Sequence, residues 1–216
     1  MTLPAKSLSS KLARRGRDMR VTDLVASGEM IRVVVDNRPI GRVTAATVLR
    51  LDLRAGQELS AAQFRRLREA VTYAGFYQEA GRYCARRLRS REEVRVYLAK
   101  HSCPLVLAKR VIDQLVSSGL IDEEQLAAAL IHDAGLGRPL SRLALEKKLQ
   151  GKHLDPELID RVLEKAGTND ERALLEAIAK KQGQPSYLKD KPKLFRYLLR
   201  QGFAYSLIVK HLGRPY

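Results

Sequence analysis

Tryptophan is missing, cysteine occurs twice and histidine four times in 216 residues. No apolar run approaches the roughly 18 residues that a membrane span needs, so no span is expected. The basic start is not followed by an apolar core, so no secretory signal is expected either. Residues 1–20 are rich in Arg and Ser and poor in acids. They read as a flexible basic arm, with an organellar transit peptide as the other reading. Cys84 and Cys103 form no close pair and read as reduced core thiols, not a disulfide or metal site. His101, His132, His153 and His211 show no ligand spacing with each other or with the cysteines, so no metal is expected.

Nucleophilic and nucleotide chemistry are equally without a motif. Ser90 and Ser141 occupy helix starts and have no histidine beside them. Gly135-Leu136-Gly137-Arg138 lacks both the Gly-Lys-Ser/Thr ending and the preceding strand of a phosphate loop, and so reads as a helix break. Asp122, Glu123 and Glu124 sit at a helix start, where the macrodipole favours negative charge. The expectation is a binding protein, not an enzyme, with no catalytic residues and no cofactor.

Acids are scarce beside bases: 24 Asp plus Glu against 40 Lys plus Arg give a net charge of +16. A surplus of that size attracts polyanions and steers their encounter, which makes nucleic acid the leading partner. The surplus is uneven. Residues 1–78 carry 14 bases and 7 acids, 79–121 carry 9 and 4, 122–167 carry 7 and 9, and 168–216 carry 10 and 4.

The last two thirds of the chain are self-similar. Sliding Ser90–Ile121 by 51 positions lays Ser90-Arg91 on Ser141-Arg142, Val94 on Leu145, Leu98 on Leu149 and Pro104 on Asp155. A further slide of 49 lays Leu145 on Leu194, Leu149 on Leu198 and Leu158-Ile159 on Leu207-Ile208. Recurrence at a fixed period is the mark of stacked units that cannot each bury their own apolar face. Three units of three helices each are expected, at 79–121, 122–167 and 168–216. The helix starts are marked by Ser90 with Glu93, by Cys103-Pro104, by Asp122 with Gln125, by Asp155-Pro156, by Thr168 with Glu171, and by Asp190 with Pro192. Gly119 and Gly202 mark stops. The stretch from Gln182 to Tyr187 reads as a turn-rich connection.

Residues 21–78 read differently, as a small strand-plus-helix module. Val21–Ser27, Met30–Asp36 and Pro39–Val43 are β-rich runs separated by turn residues at Gly28-Glu29 and Asp36-Asn37. Ser60 with Gln63 starts a helix that carries Phe64, Leu67 and Val71, and the first unit of the array is expected to open a new helix near Gln78 and run to Leu88. Tyr73, Phe76, Tyr77 and Tyr83 cluster near that junction, where packing is the plainer reading and stacking on bases the sharper one. The expected fold is mainly α, with three tandem three-helix repeats in a curved array after a small β-strand and helix module.

Within each unit the bases gather around the start and exposed face of the second helix. They are Arg86, Arg87, Arg89, Arg91 and Arg95 in the first, Arg138, Arg142, Lys147, Lys148 and Lys152 in the second, and Lys189, Lys191, Lys193, Arg196 and Arg200 in the third. One such cluster is ordinarily a solvated face. Three in register make a discontinuous stripe suited to phosphates or an acidic partner. Few Asn or Gln line these helices, so base-specific readout is not expected. A helix-turn-helix DNA-binding regulator and a scaffold for another acidic partner are the alternatives. The first would need a distinct recognition helix and a dimer seam, and neither is visible.

The chain resembles the RecX family of bacterial regulatory proteins that modulate the recombinase RecA. The resemblance rests on Arg89-Ser90-Arg91-Glu92-Glu93-Val94, on the join from Ser118-Gly119-Leu120-Ile121-Asp122 to Ala127, on the Gly137–Leu149 helix with Lys152 and Leu154, and on Arg200-Gln201-Gly202-Phe203. It covers 79–216, and Val33-Val34-Val35-Asp36 with Leu53 to Leu59 resembles the leading module of longer members. His153 stands after Lys152 where members usually have glycine. The resemblance implies a non-enzymatic, cytoplasmic, monomeric regulator in homologous recombination and the SOS response. Its partners would be the RecA filament and single- and double-stranded DNA, with no membrane. It would lie in the filament groove and block extension, ATP hydrolysis and strand exchange.

Overall fold

The computed structural model describes residues 19–136, 139–188 and 190–215, apart from the side chains of Pro185 and Leu188. The expected arm therefore lies outside the described residues except for Met19 and Arg20, which open the first strand instead. The chain divides into two compact units, 1–79 and 80–216.

The first unit is an antiparallel sheet with helices. Strands β1 (Met19–Ser27), β2 (Met30–Val35), β3 (Arg38–Thr44) and β4 (Glu58–Leu59) lie in the order β3-β2-β1-β4. Ser27 pairs with Met30 and Val35 with Arg38, leaving two-residue turns between the strands. Asp36 and Asn37 both take positive φ, 49° and 60°, the geometry of a type I′ turn whose twist matches the strands it joins. The fourth strand carries no expectation from sequence, because a two-residue strand is too short to show alternation. Helix α1 (Ala45–Arg50) is capped by Thr44, whose hydroxyl accepts from the Thr47 N–H. Val21, Val33, Val35, Val43, Leu59 and Leu67 form the core between the sheet and helix α2 (Ala61–Cys84). Gly41 faces that helix closely enough that a Cβ there would meet Val71.

Helix α2 differs from expectation. It begins after Ser60 as predicted, with the reciprocal bonds Gln63 N–H to Ser60 Oγ at 3.3 Å and Ser60 N–H to Gln63 Oε1 at 2.9 Å. It then runs unbroken for 24 residues, so no helix starts near Gln78, and it stops at Cys84 rather than Leu88. No proline interrupts that stretch, and Gly75 and Gly81 remain helical because glycine only weakens a helix while proline breaks it.

The described residues of the second unit form helices and connections, with no strand. After the end of α2 come α3 (Arg91–Lys100), α4 (Leu105–Ser117), α5 (Glu123–Leu136), α6 (Arg142–Gln150), α7 (Pro156–Lys165), α8 (Asp170–Gln182), α9 (Pro185–Leu188), α10 (Lys191–Arg200) and α11 (Tyr205–Leu212). The short α9 falls where only turns were expected, while α5 ends at Leu136, within the glycine-rich stretch expected to stop it. Val94 and Leu98 of α3 and Val111 and Leu115 of α4 are fully buried. Helices α5, α6 and α7 share one apolar cluster around Leu149, Ile159 and Leu163, and α8, α10 and α11 share another around Leu174, Leu198 and Ile208. Most of these helices are too short to persist alone, so this burial is what holds them.

The ends of the helices follow local chemistry. Ser90, Ser141, Asp155 and Asp190 each accept a backbone N–H at the start of their helices, and Asp122 accepts from Gln125 N–H at 2.8 Å. Pro104 is itself the cap residue of α4 and offers no side-chain acceptor. At Gly119 (φ 73°) the N–H of Leu120 bonds to the Leu115 carbonyl and that of Gly119 to the Val116 carbonyl, a Schellman stop. Gly202 (φ 85°) ends α10 in the same way. So does Gly167 after α7, and this displaces an expected cap. Thr168 belongs to that stop, its hydroxyl donating to the Leu163 carbonyl at 3.2 Å, so Asn169 caps α8 instead.

Candidate nucleic-acid interface

The start of α3 is organised around one carboxylate. Glu93 sits in the first turn because the capping box places it there, and its side chain is only 20% exposed. It accepts from the Ser90 N–H at 3.1 Å and from Arg87 Nη2 at 2.9 Å, and it pairs with Lys152 Nζ at 3.2 Å and Arg89 Nη1 at 3.8 Å. Burial pushes the Glu93 carboxyl up, but the Ser90, Arg87 and Lys152 hydrogen bonds outweigh it and hold the group below the ordinary carboxylate range. Lys152 comes from the turn after α6, so this cluster ties two distant segments together.

Arg89 closes the other side of that cluster. Its guanidinium lies 3.8 Å from the centre of the Tyr83 ring, and its Nε is buried with no hydrogen-bond partner. The aromatic face takes the place of a hydrogen-bond partner for a desolvated cation. Tyr83 stacks on Tyr97 with centroids 4.1 Å apart, and Tyr97 packs against His101 at 4.2 Å. Of the four aromatic residues that clustered in sequence, Tyr83 joins this column, while Tyr73 stacks with Tyr77 in the first unit at 6.2 Å.

Six more of the predicted bases engage groups of the chain itself. Arg91 donates its backbone N–H to Glu123 Oε1 at 2.9 Å, with its guanidinium 3.5 Å from the same carboxylate. Arg142 donates its N–H to Asp170 Oδ1 at 2.6 Å and reaches Thr168 Oγ1 at 3.3 Å and Asp160 at 3.6 Å. Arg95 makes a bidentate pair with Glu92, both contacts 2.6 Å, which lowers the Glu92 pKa. Lys148 reaches the Leu130 carbonyl at 3.5 Å and Arg196 the Pro192 carbonyl at 3.4 Å. Lys193 lies over the Tyr187 ring at 5.0 Å.

Arg86, Lys147, Lys191 and Arg200 are different. All four are exposed, and among the described residues no side chain of the four makes a hydrogen bond or ion pair. Arg138 and Lys189 lie outside the described residues. The thirteen described bases therefore fall into a set that holds helices together, centred on Arg89, Arg142 and Lys152, and a set that faces solvent. Sequence reasoning placed all of them on one stripe and missed Glu93, Glu123 and Asp170 as the groups that claim the first set. The capping box pointed to Glu93, but nothing local pointed to the two acids that arrive from the following helices.

Among the described residues no three His, Cys, Asp or Glu come together as a metal site. Cys84 and Cys103 are buried and unpaired, and burial pushes both thiols up. No described helix is long and apolar enough to cross a membrane.

No family model matches the chain, but curated proteins do. It is 30% identical over 131 residues to the regulatory protein RecX of Mycolicibacterium vanbaalenii, covering 56% of this chain and 71% of the relative. It is 25% identical over 202 residues to that of Geobacillus kaustophilus, covering 91% and 75%, and 20% identical over 192 residues to that of Streptococcus uberis, covering 88% and 74%. Among solved structures, a crystal structure of regulatory protein RecX superposes with a TM-score of 0.68 at 17% identity, covering 90% of this chain and 98% of that one. RecX from Lactobacillus salivarius superposes at 0.54 with 20% identity, covering 64% and 93%. These structures share the fold, mainly helical with a small strand module in front, and with the sequence matches they show that the chain belongs to the RecX family of regulatory proteins.

Proposed function

We propose that this protein is a negative regulator of RecA that binds the groove of the RecA filament on DNA and inhibits filament extension, ATP hydrolysis and strand exchange. It acts in the cytoplasm as a monomer, by binding and not by catalysis. Its helices form three tandem units, 79–121, 122–167 and 168–216, of three main helices each: the end of α2 with α3 and α4, then α5, α6 and α7, then α8, α10 and α11 with the short α9 between. They are stacked as a curved array that spans neighbouring filament subunits. Residues 21–78, with Met19 and Arg20 opening β1, form the leading module, and the Arg-rich residues before them add positive charge.

Membership of the RecX family is the observation that carries this reading. The recurrence of one arrangement supports the array. A buried serine caps α3 and α6, and an acid from a following helix binds the next N–H along, Glu123 at Arg91 and Asp170 at Arg142. Among the described bases of the stripe, Arg86, Lys147, Lys191 and Arg200 are those left to meet DNA phosphates or acidic filament surface, since the other described ones already have intramolecular partners.

The test is DNA-dependent ATP hydrolysis by RecA on single-stranded DNA, titrated with this protein far below the nucleotide concentration. Inhibition at such ratios is expected of a protein that acts on the filament. Inhibition only near saturation of the DNA would make the protein a competitor for DNA and overturn the groove reading.

A further inference from the structure

We infer that the column Arg89–Tyr83–Tyr97–His101 is a stacking platform for a base of single-stranded DNA, with the base on the exposed imidazole of His101. Four planar groups follow one another at 3.8, 4.1 and 4.2 Å, the two tyrosines within 11° of parallel and the His101 ring tilted 38° to Tyr97. The Arg89 end is closed, since that side chain is only 11% exposed. The His101 end is open: the residue is exposed, and among the described residues the only ring packed on it is Tyr97. The ring is held in place as well. Its Nδ1 lies 2.8 Å from the Tyr97 carbonyl, which can only accept, so Nδ1 carries a proton and the imidazole is anchored to the end of α3.

Charge says what would cover it. From Ala80 to Ile112 the only acids are Glu92 and Glu93, and both are already engaged by arginines. Arg82 and Arg86 flank Tyr83 in the chain, Lys100 adjoins His101, and all three are exposed. An open ring face with exposed cations beside its residues in the chain fits a strand whose bases stack while its phosphates meet those cations, and it tolerates any sequence because every base has a π face. A duplex keeps its bases stacked internally and offers no such face. The inference rests on the reading that this protein meets DNA.

The chain has no tryptophan, so His101→Trp creates a single reporter. Binding of oligo(dT) to that variant is expected to quench its emission while affinity is kept or raised. His101→Ala is expected to bind oligo(dT) about tenfold more weakly, with an unchanged salt slope because no phosphate contact is lost, and to bind duplex DNA as the wild type does. An unquenched tryptophan at saturating oligo(dT), or wild-type affinity in His101→Ala, would overturn the stacking while leaving DNA binding intact. Wild-type protein that binds no oligo(dT) would overturn the DNA reading and the platform with it.

Discussion

The backbone N–H of Arg142 donates to the Asp170 carboxylate at 2.6 Å. That N–H is the first of α6 and has no acceptor within its own helix. The charge arriving there satisfies it and also sits against the positive end of the helix dipole. Arg91, 51 positions earlier, is served in the same way by Glu123. The two acids thus fasten α5 to the start of α3 and α8 to the start of α6.

Replacing Asp170 by Ala should therefore destabilise the protein by about 1–2 kcal/mol, the cost of a lost cap-like bond to a charged acceptor. Glu123→Ala should cost a similar amount. Urea unfolding followed by circular dichroism measures both, and a loss for Asp170→Ala no greater than for the exposed Asp133→Ala would show that the clasp contributes nothing.

Glu93 gathers three cations and one backbone N–H, so Glu93→Gln leaves like charges facing each other and should cost about 3 kcal/mol. The sign of its pH dependence follows from its depressed pKa. A carboxylate held below its unfolded value adds stability that is complete above the ordinary value of 4.5 and is lost as pH falls through the folded value. The gap between wild type and Glu93→Gln should be constant above that pH and close below it. A gap that stayed open in acid would mean that shape, not charge, matters at this position.

Much of this is legible in the amino-acid sequence alone. The capping box of α3, the Asp155-Pro156 and Asp190 starts and the glycine stops are local codes, read within four residues, and they held. What failed was also local. Thr168 with Glu171 satisfies the pattern of a capping box, yet Thr168 is taken by the stop of α7 and Glu171 by Lys210 and His211, at 2.7 and 2.8 Å. Two signals competed for one residue, and only packing decides between them. The division of the bases into bound and free was out of reach for a related reason, since the Lys152–Glu93 pair spans 59 positions.

Gly202 and Gly119 share a left-handed backbone but not a neighbourhood. A Cβ on Gly202 would stand 2.6 Å from Ser141 Oγ and 2.9 Å from Ala144 Cβ, while one on Gly119 would meet nothing within 4 Å. Gly119→Ala should cost about 1 kcal/mol for the backbone alone. Gly202→Ala should cost about 3 kcal/mol, because overpacking adds to the backbone strain. Equal losses in thermal unfolding would show that the close approach relaxes freely.

His153 holds the reverse position. Its φ is 55°, the left-handed region, at the place where the resemblance leads one to expect glycine. The turn keeps its form and the side chain bears the strain, so His153→Gly should raise stability by about 1 kcal/mol. A fall in melting temperature would mean that the imidazole contributes more than the backbone strain removes.

The split among the bases gives the sharpest contrast. Arg86, Lys147, Lys191 and Arg200 are exposed and unengaged, so changing all four to Ala should leave the melting temperature within a degree or two, as exposed substitutions do. If each neutralises a phosphate in the wild type, the slope of log affinity against log salt for duplex DNA should become shallower by about 3 to 4. Arg89, Arg142 and Lys152 changed to Ala should do the opposite. Each leaves a partner behind, Glu93 for two of them and Asp160 for the third. The loss should therefore appear in stability first, with the salt slope of whatever remains folded close to wild type. Measuring both variants for melting temperature and salt slope separates the roles. A shallower slope in the second set alone would move the DNA contact onto the clasp residues and away from the exposed four.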